Sequence, residues 1–318
     1  MSDSFTVNLV GGRGYTGSEL LRLLAGHPRM NLGIASSRSE VGQTLSSTCS
    51  GWPEDGRTFT RLEPCEVAAY AADAWVLALP NGLASQWVEA INAAFSSSII
   101  LDLSADHRFD PQWCYGLPER YRDEIRGSRL IANPGCYATG AQLGLLPIVE
   151  DLRSDPLVFG VSGYSGAGKT PSPRNDPQVL KDNLIPYALS GHVHEKEISH
   201  QLHTAVRFMP HVAAFFRGIS LTIAFELDHP ASVDELETIF QQVYAGEKRI
   251  RVGTEIPQVS AVQNTADVYI GGFDIDARNP AQGSLVVVLD NLLKGAASQA
   301  MQNLNLALGL DENTGIAQ

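Results

Sequence analysis

Residues 5–17 constrain the fold more than any other stretch. An apolar run, Phe5 to Val10, passes directly into Gly11-Gly12-Arg13-Gly14-Tyr15-Thr16-Gly17 and then into a helix-like segment at residues 18–25. Buried strand, glycine turn and helix together open a βαβ unit. Glycines there let the backbone turn tightly and approach a pyrophosphate, which rests on the N–H groups of the helix start. Further short apolar strands are expected at 30–35, 75–79, 99–103 and 130–132, with a helix at 84–94. Strands alternating with helices imply a parallel, doubly wound sheet over residues 1–135. The pattern then changes. Longer strands at 157–163, 219–227, 268–274 and 284–289, with one amphipathic helix at 233–245, predict an α+β domain with a mixed or antiparallel sheet over 136–291. A last apolar helix, 292–308, is expected to return to the first domain, which residues 292–318 complete. The tail from Asp311 reads as frayed.

A length of 318 residues suits two such domains. With 35 acidic against 23 basic residues the formal charge is −12, and no block of Lys or Arg occurs. That balance argues against nucleic acid or an anionic membrane as partner, so an anionic ligand must be met by a few local cations. No apolar run reaches the roughly 20 residues of a membrane span. The opening MSDSFTVNLV lacks a charged leader and is read as no signal peptide. Cys49, Cys65, Cys114 and Cys136 form neither CxxC pairs nor a zinc pattern. A cytoplasmic location without a bound metal is therefore expected, each cysteine being buried filler or a nucleophile.

Ser36-Ser37-Arg38 follows the second strand, with no acid before Glu40. Two hydroxyls and a guanidinium suit a 2′-phosphate, which favours NADP over NAD. Cys136 stands between an apolar strand and an apolar helix at 140–149, in Asn133-Pro134-Gly135-Cys136-Tyr137. A helix start favours the thiolate and offers N–H groups to an oxyanion. A small buried hydrophobe is the competing reading of Cys136. Gly191-His192-Val193-His194-Glu195-Lys196-Glu197, after Tyr187, offers two imidazoles and a carboxylate for acid–base work. Paired histidines also suit zinc, yet no third ligand stands at a recognisable spacing. His107, His203 and His211 are weaker candidates for the base. Arg108 is expected to emerge at the carboxyl edge of the first sheet as an anion contact. Residues 162–169, SGYSGAGK, read as a loop that hugs a ligand or a neighbouring backbone, and not as a P-loop.

Eight ordered segments resemble the N-acetyl-γ-glutamyl-phosphate reductase family, relatives of aspartate-semialdehyde dehydrogenase. They are GYTGSELLRLL, DLSADHRF, YGLPE, ANPGCYATGAQLGLLP, SGYSGAGK, the HVH segment, PHVAAFFRGI and DNLLKGAASQAMQNLNLALG. The resemblance implies a Rossmann-type NADP domain with a catalytic and oligomerisation domain, assembled as a homodimer or homotetramer. It implies NADPH-dependent reduction of an acyl phosphate to a semialdehyde and inorganic phosphate, with Cys136 as nucleophile and His192 as acid/base. Arg108, Tyr187, His194, Glu197, Ser162 and Gly163 are then expected on the substrate. Gly11, Arg13, Gly14, Tyr15, Thr16, Gly17, Ser36, Ser37, Arg38, Pro80, Ser165, Gly166 and Asn291 are expected on the cofactor. The chain departs from the family pattern where GATG reads GGRG, HRHTPEI reads HVHEKEI and GAGR reads GAGK. A sister reductase for aspartyl or aminoadipyl phosphate, or a non-catalytic NADP-binding regulator, are the alternative readings.

Overall fold

A computed structural model of the chain describes residues 4–317, so the expected ends of the first domain at residues 1–3 and 318 lie outside the described residues. The chain forms two compact units, Met1–Gly135 with Ala296–Gln318, and Cys136–Gly295.

The first unit holds a six-stranded sheet ordered β2-β1-β3-β4-β6-β5, parallel throughout. Its strands are β1 (Phe5–Val10), β2 (Met30–Ser36), β3 (Ala74–Leu77), β4 (Ile99–Asp102), β5 (Cys114–Tyr115) and β6 (Leu130–Ala132). Every residue of β3 and β4 is buried, as expected of parallel strands covered on both faces. The helices are α1 (Tyr15–Ala25), α2 (Leu45–Thr48), α3 (Ser85–Ala94) and α4 (Pro118–Gly127). Leu20, Leu21, Leu23 and Leu24 form the buried stripe of α1.

The single last helix expected at 292–308 is instead a π-turn, Leu293–Ala297, followed by the C-terminal helix Ser298–Ala307. That helix packs on α1, α4 and β4. The tail beyond it is ordered, contrary to expectation. Asn305 Nδ2 donates to the carbonyls of Glu312 (3.0 Å) and Thr314 (2.8 Å), Glu312 pairs with Arg122 at 2.7 Å, and Ile316 is buried.

The second unit carries the expected mixed sheet, ordered β11-β12-β13-β10-β7-β9-β8. Its strands are β7 (Leu157–Gly163), β8 (Leu184–Pro186), β9 (Arg207–Ala213), β10 (Ile219–Glu226), β11 (Ile250–Val252), β12 (Val268–Ile275) and β13 (Gln282–Leu289). Only the β7–β9 and β11–β12 pairs are parallel. Its helices are α5 (Cys136–Leu145), α6 (Pro177–Leu180), α7 (Val193–Leu202) and α8 (Val233–Val243). Helix α5 is buried from Tyr137 to Leu145 and lies on β10 and β13. It comes so close because Gly140 and Gly144 face the sheet: a Cβ on Gly140 would stand 2.7 Å from Leu221 Cδ1. Among the described residues no helix is long and apolar enough to cross a membrane.

Candidate active site

In the first unit the glycine loop joins β1 to α1. Gly11 holds φ +86°, a conformation that favours glycine, and a side chain there would strike the Ala78 carbonyl. Gly14 is the N-cap of α1 and supplies no side chain to the open N–H groups. A Cβ on Gly14 would have its nearest neighbour at 3.9 Å, so this end of an 11-residue helix is open to an anion. Arg13 is exposed at the same turn, Tyr15 and Thr16 begin the helix, and Gly17 packs against Gly12. This cradle fits a dinucleotide diphosphate.

Ser36 and Ser37 are buried, and Ser37 Oγ accepts the Glu40 N–H at 3.1 Å. Arg38 is exposed and pairs with Glu63 at 3.2 Å, a carboxylate that also meets Arg61 at 3.7 Å. Arg61, which carried no signal in the sequence, thus joins Arg38 on the same carboxylate. Pro80 is exposed at the end of β3, in a loop where the Asp106 carboxylate accepts the N–H groups of Gly82 and Ala84.

Arg108 is buried rather than displayed. Its Nε donates to the Asn133 carbonyl (2.9 Å) and its Nη2 to the Leu103 carbonyl (3.0 Å), so it braces the first residue of the cysteine motif. His107 is paired with Asp102 at 2.7 Å and stacked on Trp113.

In the second unit Cys136 is the first residue of α5 and is half-buried. Gly295 lies against it: a Cβ on Gly295 would stand 2.7 Å from Cys136 Cβ. The Gly295 N–H donates to the Asp290 carbonyl at 2.9 Å. The fully buried Asp290 carboxylate takes Arg217 Nε (2.6 Å) and Nη2 (3.1 Å), with the N–H groups of Leu292 (2.9 Å) and Asn264 (2.7 Å). A bidentate ion pair therefore fixes the π-turn that presses on the cysteine.

Around Cys136 the second unit gathers aromatic and imidazole rings. The hydroxyls of Tyr137 and Tyr187 are hydrogen-bonded to each other, and Tyr137 also donates to the His211 carbonyl at 2.7 Å. Burial, and then the negative charge on Cys136, push the Tyr187 phenol up to about 12. Tyr187 therefore remains a neutral donor at pH 7. The His192 ring lies 5.7 Å from Tyr187, 4.8 Å from His194 and 5.3 Å from Phe208, and Tyr137 lies 5.9 Å from His194.

His192 is also the N-cap of α7, its Nδ1 accepting the His194 N–H at 3.1 Å. Nδ1 is thus committed, and Nε2 is the atom left to exchange protons. Burial holds the His192 pKa below the usual imidazole value, opposed by Glu195 and reinforced by the Arg174 charge. Glu195, which sequence reasoning gave no role, ties α7 to its surroundings by accepting the N–H groups of Gly191 (2.7 Å) and Phe208 (3.0 Å). Glu197 is fully buried one turn into α7. His203 sits in the left-handed region at the end of that helix, and the His211 ring lies tilted against Phe159 at 4.4 Å.

The loop after β7 is tied by Asn291, whose Nδ2 donates to Ser165 Oγ (2.9 Å) and whose Oδ1 accepts the Gly218 N–H (2.7 Å). Ser162 Oγ donates to the Gly163 carbonyl at 2.9 Å, and Gly166 packs against that hydroxyl. Spacing does not exclude a P-loop here, since residues 163–170 read Gly-x-x-x-x-Gly-Lys-Thr. The structure does. Strand β7 runs into a 3₁₀ turn, Tyr164–Ala167, and no α-helix starts behind the loop to receive a phosphate.

Residues 6–128 match the family described as semialdehyde dehydrogenase, NAD binding domain, and residues 136–291 match semialdehyde dehydrogenase, dimerisation domain. The chain is 51% identical over 317 residues to the N-acetyl-gamma-glutamyl-phosphate reductase of Stenotrophomonas maltophilia, covering 99% of each chain. The chain belongs to the N-acetyl-gamma-glutamyl-phosphate reductase family. The reductase of Xanthomonas campestris pv. campestris is 50% identical, with 98% of each chain covered.

Members of the wider fold include aspartate semialdehyde dehydrogenase II of Vibrio cholerae, solved with ASA (TM-score 0.76, 21% identity, 97% and 99% of the two chains covered). The Candida albicans aspartate semialdehyde dehydrogenase, solved with NADP, gives a TM-score of 0.73 at 16% identity, covering 98% and 100%. These two establish the fold. Within the reductase chain, Cys136, Tyr187, His192 and His194 come together in the second unit, with Tyr137 as a neighbour that the NPGCY motif contains but that drew no separate expectation. The glycine loop and Arg38 belong to the first unit.

Proposed function

We propose that this chain reduces N-acetyl-L-glutamyl 5-phosphate to N-acetyl-L-glutamate 5-semialdehyde and inorganic phosphate with NADPH, a step of arginine biosynthesis. The observation that carries this reading is Cys136 at the head of α5 beside Tyr137 and Tyr187, in a chain half identical to named reductases along its whole length. Cys136 Sγ attacks the acyl carbon; the carbon–sulfur bond forms and the carbon–oxygen bond to phosphate breaks, leaving a thioester. His192 Nε2 takes the thiol proton, and an imidazole held neutral at pH 7 is ready to do so.

The N–H groups at the start of α5 stabilise the oxyanion, and the neutral Tyr187, hydrogen-bonded to Tyr137, lines the substrate side. NADPH, when bound, supplies the hydride that reduces the thioester. His192 returns its proton to the resulting oxyanion and recovers it as the aldehyde forms and sulfur departs. Gly11, Arg13, Gly14, Tyr15, Thr16 and Gly17 hold the diphosphate, and Arg38 with Ser36 and Ser37 meets the 2′-phosphate. Pro80 completes the cofactor residues of the first unit. Ser162, Gly163, His194 and Glu197 shape the substrate side. Arg108 acts by bracing Asn133, since two of its donor groups are given to carbonyls. The match to a dimerisation domain supports a homo-oligomer, and four unbridged cysteines suit the cytoplasm.

The reaction run backward tests the proposal. N-acetylglutamate semialdehyde with NADP⁺ should give sustained NADPH formation only when inorganic phosphate is present, and no more than one equivalent per chain without it. Turnover with aspartate semialdehyde alone would move the enzyme to a sister pathway. Silence with every semialdehyde would favour a non-catalytic NADP-binding protein.

A further inference from the structure

Arg174 belongs to no motif that the sequence singles out. It stands on the loop between β7 and α6, which one asparagine closes: Asn175 Nδ2 donates to the carbonyls of Gly168 and Thr170 (2.7 Å each), and its Oδ1 accepts the Ser172 N–H (2.7 Å). The closed loop sets the Arg174 guanidinium 4.8 Å above the centre of the Tyr187 ring. The residue is exposed, and among the described residues it makes no ion pair. Its charge is felt at both Tyr187 and His192. Tyr187 in turn is hydrogen-bonded to Tyr137 and senses the charge on Cys136.

In a chain of net charge −12, a guanidinium with no carboxylate partner, braced on an aromatic face beside the reacting cysteine, is set up to receive an anion. A guanidinium held over a ring keeps its N–H donors for a bidentate carboxylate.

We propose that Arg174 reads the α-carboxylate of the acyl phosphate and of the semialdehyde product, and so determines specificity for an acidic substrate. This rests on the reductase reading above. Carboxylate is favoured over phosphate by reach. The phosphate leaves from the carbon that bonds to Sγ, whereas the α-carboxylate carbon is four carbon–carbon bonds further on, about 5 Å when extended. Tyr187, which senses Cys136 and carries the guanidinium 4.8 Å above its ring, stands between the two and keeps Arg174 for the far end of the substrate.

The test uses the full-length enzyme in the backward direction with two variants. Arg174→Met keeps a long side chain over Tyr187 and removes the charge; Arg174→Lys keeps a charge and loses the fork. Arg174→Met should raise KM for N-acetylglutamate semialdehyde about 10- to 100-fold, the worth of a charge-assisted hydrogen bond, with KM for phosphate and NADP⁺ unchanged. Arg174→Lys should recover part of the loss. The same aldehyde without its carboxylate, 4-acetamidobutanal, should be used poorly, and equally so, by wild type and Arg174→Met. Loss of the guanidinium should also move the acid limb of the kcat/KM profile to higher pH, which a merely loop-shaping residue would not do. An unchanged semialdehyde KM overturns the proposal, as does a rise confined to phosphate. Wild-type enzyme that fails to use N-acetylglutamate semialdehyde at all sinks the reductase reading itself, a different result from a silent variant.

Discussion

Gly295→Ala tests whether the π-turn sets the position of the nucleophile. A methyl group there would stand 2.7 Å from Cys136 Cβ and 3.2 Å from its Cα. Carbon atoms pack at about 3.5–4.0 Å, so the overlap is about 1 Å. The turn has little room to withdraw, because its N–H is bonded to the Asp290 carbonyl and Asp290 is clamped by Arg217. The first residue of α5 must therefore give way. A reacting atom misplaced by about 1 Å costs on the order of 100-fold in rate. Overpacking of this kind also costs about 1–3 kcal/mol of stability. The expected outcome is a kcat about 100-fold lower in the phosphate-dependent backward assay, with a folded protein by thermal melting and unchanged NADP⁺ affinity by fluorescence titration. A variant that keeps kcat within about threefold would refute the idea that close packing of Gly295 places the thiol.

Two further outcomes follow from the first unit. His27 is held neutral: its Nδ1 accepts the N–H groups of Arg29 (3.1 Å) and Met30 (2.8 Å), its Nε2 bonds Asn305 Oδ1 (3.1 Å), and burial lowers its pKa. The unfolded chain takes up a proton near pH 6.5 that the folded one resists, so stability is intact above about that pH and falls as pH drops toward the folded value. Urea melts across this window should show the fall, and His27→Gln should flatten it; an equal slope in both proteins would remove His27 as the cause. Arg38→Ala should raise KM for NADPH about tenfold and leave KM for NADH in place, since an exposed pair with Glu63 is weak enough for a 2′-phosphate to displace. Equal rises for both cofactors would place Arg38 outside the phosphate site.

The parallel sheet was legible because β1, β3 and β4 are buried on both faces and read as continuous apolar runs. The long strands β7, β10, β12 and β13 were legible from their length and β-branched content although only one face of β7 and β10 is buried, with Cys136 marked by its place between strand and helix. Elements held by distant partners were not. Strand β9 is broken in sequence by Pro210 and His211, and β8 is three residues at a sheet edge. Helix α7 shows only a short apolar pattern under His, Glu and Lys, its start being fixed by the His192 cap and by Glu195 reaching Phe208. The tail looked loose because what holds it, Arg122 and the C-terminal helix, is remote or lies on the neighbouring turn. The π-turn also left no periodic trace, since Asp290 and Arg217 impose it from 73 residues apart. Letters alone misled at residues 163–170, where a P-loop spelling runs into a 3₁₀ turn.

The thioester on Cys136 is the centre of the proposed chemistry, and trapping it is the most direct measurement. Enzyme incubated with N-acetylglutamate semialdehyde and NADP⁺ in the absence of phosphate has no acceptor for the acyl group. Intact-mass analysis should then show one N-acetylglutamyl group per chain, mapped by peptide digestion to Cys136 and discharged by inorganic phosphate. Cys136→Ser should bind NADP⁺ and carry no such group. An unmodified wild-type enzyme that still reduces NADP⁺ under these conditions, or an adduct on another residue, would contradict covalent catalysis by Cys136.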